Sequence, residues 1–561
     1  MATTSATSDA AVRGDRMARL ATLPAADRRL LRAMAAVALL ALALGLVGGL
    51  VTALARAGFV DLVPYTGYRF LTVHGVAIFF YWLFVAQAAL LLAFAAAEHR
   101  QGLAARRWAW GGFAAMAAGF VVSVAGAHVG TPLLYDGSPE LAVDAPAALL
   151  AFNGGYLLLA LGLLLLPVSA IATLLAPAGA TERRALSAVG FALFAWAGFL
   201  AVTGFAALYT FAPGALWALG WGAFPSDHGT RWHIVFHNMH YLPLMATVIV
   251  WYVLVQALTG VHSVFGERFS KLVFTAYLVF VPPTSLYHMF LEPDLPGAVR
   301  VTGSLLSLFV SVPTLTAFLI IVASLELHAR AQGGRGLFGW IAKLPWRHPA
   351  MAAIGVAVAS MGAGLALAFV LIQGELAPLL SDSFFVPGYF HFFTVGTVSL
   401  TLLAGLAVVL PALGGRAPAW PTLLRWLPWL AFAGLLVFGV AGVAAGYLGV
   451  PRRMIDVSYQ GDAPALWAPL MAAMGAGAVV MALALAAFAA GVAASLWPRR
   501  QAAAAPDLTV DWSGAVLRPT AAWVGPLSVA LIVGAMVVFS ALAFELMQAL
   551  PLSAAGGGHA H

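Results

Sequence analysis

The sequence predicts an all-α, polytopic membrane protein of about thirteen transmembrane helices, and three observations carry that prediction. Of its 561 residues, 62% are hydrophobic and only 9% are charged, whereas a soluble globular chain carries about 25% charged residues. The mean hydropathy is +0.95. Apolar stretches of the roughly 20 residues needed to cross a bilayer core recur along the whole chain. Soluble enzymes, nucleic-acid-binding modules and disordered chains are excluded on these grounds. The net charge of +7 is then a matter of topology, and no nucleic-acid partner is expected.

The expected spans are 33–56, 71–97, 108–130, 147–176, 185–211, 232–259, 272–291, 302–325, 349–373, 385–411, 426–449, 465–496 and 521–548. Residues 1–32 read as an Arg-rich cytoplasmic segment, too long and too charged for a cleavable signal peptide. Residues 33–548 form one membrane domain in the lipid bilayer, and 549–561, ending GGGHAH, form a disordered tail outside it. With the N-terminus inside, all but six of the 28 Lys and Arg fall in cytoplasmic segments. The six exceptions are Arg56, Arg69, Arg231, Arg300, Arg452 and Arg453. The positive-inside rule therefore sets the N-terminus in the cytoplasm and, with an odd span number, the C-terminus outside a bacterial-type plasma membrane.

The chain has no Cys, so any metal must be held by His, Tyr, Asp, Glu or Met. Ionisable groups inside spans are costly and point to function. Seven of the 14 His lie in or beside the outer halves of spans: His74, His128, His233, His237, His240, His288 and His391. Span two reads LTVHGVAIFF, where Gly75 beside His74 is expected to let a flat macrocycle approach. A low-spin haem takes one such His from each of two facing helices. His391 in VPGYFHFF is the natural opposite partner.

Span six reads RWHIVFHNMHYLP, which sets His233, His237, His240 and Tyr241 on one helical face. Span seven ends PPTSLYHMF, adding Tyr287 and His288. Imidazole-rich sites suit copper, iron or zinc. Span eight reads VTGSLLSLFVSVP, so Ser304, Ser307 and Ser311 form a hydroxyl stripe, and Tyr252 lies three turns inward from Tyr241. These groups read equally as a proton path and as close helix packing. After span eleven, GVPRRMIDVSY sets Arg452 and Arg453 at the outer face. They read as bidentate holders of haem propionates or as lipid-phosphate anchors.

Taken together, these motifs resemble subunit I of the haem-copper oxidase superfamily, most closely the B-type cytochrome c oxidases, over nearly the whole chain. The resemblance implies His74 and His391 as axial ligands of a low-spin, b-type haem. It implies His237 as a copper B ligand, cross-linked to the redox-active phenol of Tyr241, with His288 from the His-His segment. It implies Arg452 and Arg453 at the propionates and the span-eight serines in a proton path. Two departures stand out. Tyr287 replaces one copper His, leaving His240, Tyr287 or His233 to complete the shell, and Tyr389 replaces the proximal His of the second, high-spin haem. The implied activity is O2 reduction in a respiratory chain, with an electron donor in a subunit II-like or cytochrome c-type partner. The alternatives are a nitric oxide reductase-like enzyme, with NO as the substrate, or a haem electron-transfer or sensor protein with a degenerate centre.

Overall fold

The computed structural model describes residues 16–98, 102–128, 133–176, 186–261, 264–281, 297–371 and 376–497. Among these residues the regular structure is helical, with one isolated bridge between Ser383 and Pro451 and no strand. The long helices are α1 Ala25–Arg56, α2 Pro64–Glu98, α3 Arg106–Gly126, α4 Pro146–Leu175, α5 Ala188–Ala218 and α6 His228–Thr259. They continue as α7 Glu267–Phe280, α8 Gly297–Ala331, α9 Pro349–Leu371, α10 Phe385–Ala412, α11 Pro421–Tyr447 and α12 Trp467–Ala494. Among the described residues, 11 helices are long and apolar enough to span a membrane. They correspond to expected spans one to six and eight to twelve. The seventh is helical as α7 to Phe280, and its second half lies outside the described residues. Span thirteen and the tail also lie outside them.

Helix α1 starts at Ala25, taking in the end of the segment expected to precede the bundle, because Pro24 caps it and nothing after Pro24 breaks it. The helices differ in how deeply they are enclosed. Helices α2, α6 and α10 bury 94%, 83% and 89% of their most apolar stretch, while the other spanning helices bury 33–67%. The three innermost helices are the ones that carry His74, His237, His240 and His391, so the ionisable groups sit where protein rather than lipid surrounds them.

Helices pair through small residues, as membrane helices do where backbones must approach closely. A Cβ at Gly434 of α11 would stand 2.5 Å from the Met481 nitrogen of α12. Phe384 N donates to Val450 O and Arg452 N donates to Asp382 O, at 2.6 and 3.0 Å. These bonds tie the start of α10 to the segment after α11.

Candidate metal centre

His74 on α2 and His391 on α10 face each other, with ring planes 7° apart and ring centres separated by 6.4 Å. A metal–imidazole bond of about 2 Å on each side, plus the ring half-widths, spans about 6 Å between centres. The gap therefore fits two axial ligands of one iron. Each Nδ1 lies 2.7 Å from a main-chain carbonyl, Gly45 O for His74 and Pro387 O for His391. A carbonyl only accepts, so Nδ1 carries the proton in both rings and Nε2 keeps the lone pair that a metal needs. Close to each His the helix widens into a π-helical segment, Val76–Trp82 on α2 and Phe392–Ser399 on α10. Such widened turns recur at functional sites.

Sequence reasoning missed what presses on His74. A Cβ at Gly49 would stand 2.6 Å from His74 Nδ1, and one at Gly48 would stand 2.8 Å from Phe70 O. The available signal was Gly45-Leu-Val-Gly48-Gly49 in span one, a run of small residues facing a neighbour. The expected role of Gly75 is corrected. A Cβ there would stand 2.9 Å from Tyr135 Cβ, so this glycine makes room for the Tyr135 side chain rather than for a macrocycle.

His237 is fully buried on α6, and its Nε2 lies 2.9 Å from Val281 O. That bond fixes the proton on Nε2 and makes Nδ1 the nitrogen with metal-binding capacity. The Tyr241 ring lies against it, with centres 4.8 Å apart. His240 instead packs among Phe236, Phe390 and Phe79, at 3.9, 4.8 and 5.6 Å between ring centres. His233, one turn before His237, is half-buried. Tyr389 packs near Phe385, Phe390 and Phe393 of its own helix, at 6.0, 6.0 and 6.3 Å. Tyr287 and His288 lie outside the described residues. Among the described residues, no three His, Asp or Glu side chains converge as a metal shell. A shell around His237 therefore needs a residue beyond that set.

Arg452 and Arg453 diverge. Arg452 Nη2 pairs with Asp382 Oδ1 at 2.7 Å, whereas Arg453 is exposed and acts on the buried carboxyl of Asp136. The sequence had also offered Arg56 only as an outer positive charge. It is 4% exposed, and its guanidinium donates to the carbonyls of Pro451 and Arg452.

Towards the other end of α6, Tyr252 Oη lies 3.1 Å from Ser270 Oγ, and the Tyr277 hydroxyl donates to Thr314 Oγ1 at 2.9 Å. All four side chains are buried, and Phe274 packs near both tyrosine rings. Ser311 lies half-buried one turn before Thr314. Ser304 and Ser307 belong to α8, in the stretch whose side chains lie outside the described residues. Ser270, Tyr277 and Thr314 were not singled out in the sequence, because each hydroxyl finds its partner on a different helix, Ser270 on α7 with Tyr252 of α6 and Tyr277 on α7 with Thr314 of α8.

The description "Cytochrome C and Quinol oxidase polypeptide I" names the family whose model matches residues 29–480. The chain belongs to this family, as a protein of the haem-copper oxidase subunit I type. It is 33% identical over 219 residues to cytochrome c oxidase subunit 1 of Thermus thermophilus. The matched stretch spans 39% of this chain and 39% of that relative. Its fold is similar to a cryo-EM structure of a haem-copper terminal oxidase dimer. The TM-score is 0.76 at 18% identity, over 96% of this chain and 94% of the other.

Proposed function

We propose that this chain is the catalytic subunit of a membrane-bound terminal oxidase, taking electrons through a low-spin haem between His74 and His391 to a modified haem–copper centre that reduces O2. The facing pair of imidazoles at 6.4 Å carries the proposal. When bound, the low-spin haem supplies one-electron transfer and the second centre supplies O2 reduction. His74 and His391 hold the first iron, oriented by the carbonyls of Gly45 and Pro387. His237, through Nδ1, is one holder of the copper, with His288 and either His240 or Tyr287 as the others. Tyr241 faces the same centre as a source of one proton. Arg452 and Arg453 serve the propionate edge.

Reduction of O2 to two waters consumes four electrons and four protons, so a buried centre needs a proton route. The Ser270–Tyr252 and Tyr277–Thr314 pairs supply hydroxyls at successive depths, leading to Ser311 and the stripe of Ser307 and Ser304. The N-terminus is cytoplasmic on this reading, so protons enter from that side. With no Cys in this chain, a covalent haem c or a dinuclear copper donor resides in a partner subunit.

Tyr389 favours a second reading, a single-haem electron-transfer or sensor protein, because it stands where an imidazole would hold the second iron. Pyridine-haem and copper analysis of the purified chain separates the readings. Two haems and one copper per chain support the oxidase, and one haem without copper supports the second reading. A chain without haem sinks both.

A further inference from the structure

The connection between α8 and α9, residues 332–348, carries a surface that the redox reading leaves unused. It is held by its own indoles. The N–H of Trp340 donates to Leu337 O at 2.9 Å, and that of Trp346 donates to Ile341 O at 2.7 Å. Arg330 of α8 donates to Gly336 O at 3.1 Å. Trp340 and Leu344 turn inward and are buried, and a Cβ at Gly334 would stand 2.7 Å from Trp340 Cα, so the chain folds back tightly here. On that scaffold Leu337, Phe338 and Ile341 face away from the protein, 66%, 71% and 38% exposed. Lone exposed apolar side chains are ordinary, but three within five residues of a connection form a patch that calls for an occupant.

Trp346 fixes the level of this connection. Its ring lies where a Cβ at Gly355 of α9 would meet it, and its centre is 5.6 Å from that of Trp429 on α11. Both positions are about two turns in from the start of their helices. The connection therefore lies back against the helix ends rather than standing clear of them. At the same level Trp420, Trp426 and Trp429 of α11 are exposed, and exposed Trp at the end of a span marks the headgroup layer of a bilayer. The charges agree with that level. Arg335, Lys343 and Arg347 are exposed around the apolar patch, and residues 332–348 contain no Asp or Glu. Arg425 of α11 adds a further cation, 4.8 Å over the Trp426 ring.

We propose that residues 335–347 form an interfacial anchor for an anionic phospholipid bilayer, inserting Leu337, Phe338 and Ile341 among the acyl chains and setting Arg335, Lys343 and Arg347 against the lipid phosphates. Apolar insertion and attraction to anionic headgroups reinforce each other at a membrane surface. The indole bonds matter to this, because a loop already folded loses less conformational freedom when it inserts. The proposal needs only a chain that spans a membrane, and it stands or falls separately from the haem and copper reading.

The chain has no Cys, so Phe338→Cys gives the full-length protein a unique site for a nitroxide label. The labelled protein is reconstituted in vesicles of phosphatidylethanolamine and phosphatidylglycerol and followed by electron paramagnetic resonance. Oxygen, which concentrates among acyl chains, should collide with the label at 338 several-fold more than a water-soluble nickel chelate does. The order should reverse for a label at Lys343→Cys. In vesicles of phosphatidylcholine alone the oxygen-to-nickel ratio at 338 should fall by about twofold or more, because the cations lose their anionic surface. Arg335→Gln with Arg347→Gln should abolish that dependence on lipid charge. Leu337→Cys reads the same patch should Phe338→Cys disturb the loop. Free collision with nickel at 338 would place the connection in water, and shielding from both reagents would put a partner chain or a second copy over it. Either result, or a ratio indifferent to lipid charge, overturns the proposal.

Discussion

Arg56 closes the C-terminal end of α1 onto Arg452, donating to the main-chain carbonyls of Pro451 and Arg452 while its guanidinium lies 4.5 Å over the Phe384 ring. Arg452 in turn pairs with Asp382, and both anchors lie just before α10, the helix of His391. Arg56 is therefore a positioning residue for that helix. Arg56→Gln removes the donors of two part-buried carbonyls, at about 1 kcal/mol each. Arg56→Lys keeps the charge but loses the planar fork. Melting temperatures should rank wild type above Lys above Gln. Equal melting in all three would show that the clamp contributes nothing.

Each axial His should be indispensable to the low-spin haem. His74→Ala or His391→Ala removes one of two ligating nitrogens, so the sharp reduced low-spin band should vanish in either variant. Gly49→Ala should broaden that band, because the new methyl meets His74 Nδ1 at 2.6 Å. A band that survives in both alanine variants would mean that the haem rests on other helices.

The membrane bundle and the His74–His391 pair were legible in the sequence for one physical reason. A long apolar run has few fates, and an imidazole inside it needs a purpose. Arg56 was illegible because a cation in the last turn of a span reads as topology. Its partners Pro451 and Arg452 lie nearly four hundred residues further on, and nothing local signals them. The same holds for Asn153, which looks like an ordinary polar residue in a span until Gly137 of a loop and Gly214 of α5 press against its amide. Gly75 was misread for the related reason that the neighbour filling its space, Tyr135, comes from a loop rather than from a facing span.

The Tyr252 and Tyr277 hydroxyls should carry protons. Tyr252→Phe and Tyr277→Phe each remove one hydroxyl from a buried pair, and O2 consumption should fall about tenfold or more, in the range typical of lost proton transfer. Thermal stability should drop by only about 1–3 kcal/mol, the cost of the orphaned partner. Turnover that stays normal while melting shifts would assign these tyrosines to packing alone.

His348 should make stability fall on mild acidification. Its Nδ1 accepts the Ala350 N–H at 3.2 Å and caps α9, which only the neutral ring can do, and burial lowers its pKa from 6.5 to about 4. The unfolded chain takes up this proton near pH 6.5, while the folded chain resists until about 4. The stabilisation present above pH 6.5 is therefore lost between 6.5 and 4, with no further loss below. His348→Asn keeps a capping acceptor without a titrating ring, so its melting temperature should vary less over that window. Identical pH profiles would remove His348 as the cause.

Tyr389 sets the largest expected departure from an ordinary oxidase. It precedes His391 by two residues and packs near Phe385, Phe390 and Phe393. A phenolate ligand stabilises ferric iron, and O2 binds the ferrous form, so the wild-type protein should consume O2 slowly and show little CO-induced shift when reduced. Tyr287→His with Tyr389→His together should return imidazole to both the copper and the proximal position. This double variant should gain a CO-binding high-spin haem and faster O2 consumption, with the low-spin band of the His74–His391 site unchanged. Rapid O2 consumption and CO binding in the wild type would mean that Tyr389 is not the proximal group. A double variant that gains neither would mean that no second haem is held near α10, leaving the single-haem reading in place.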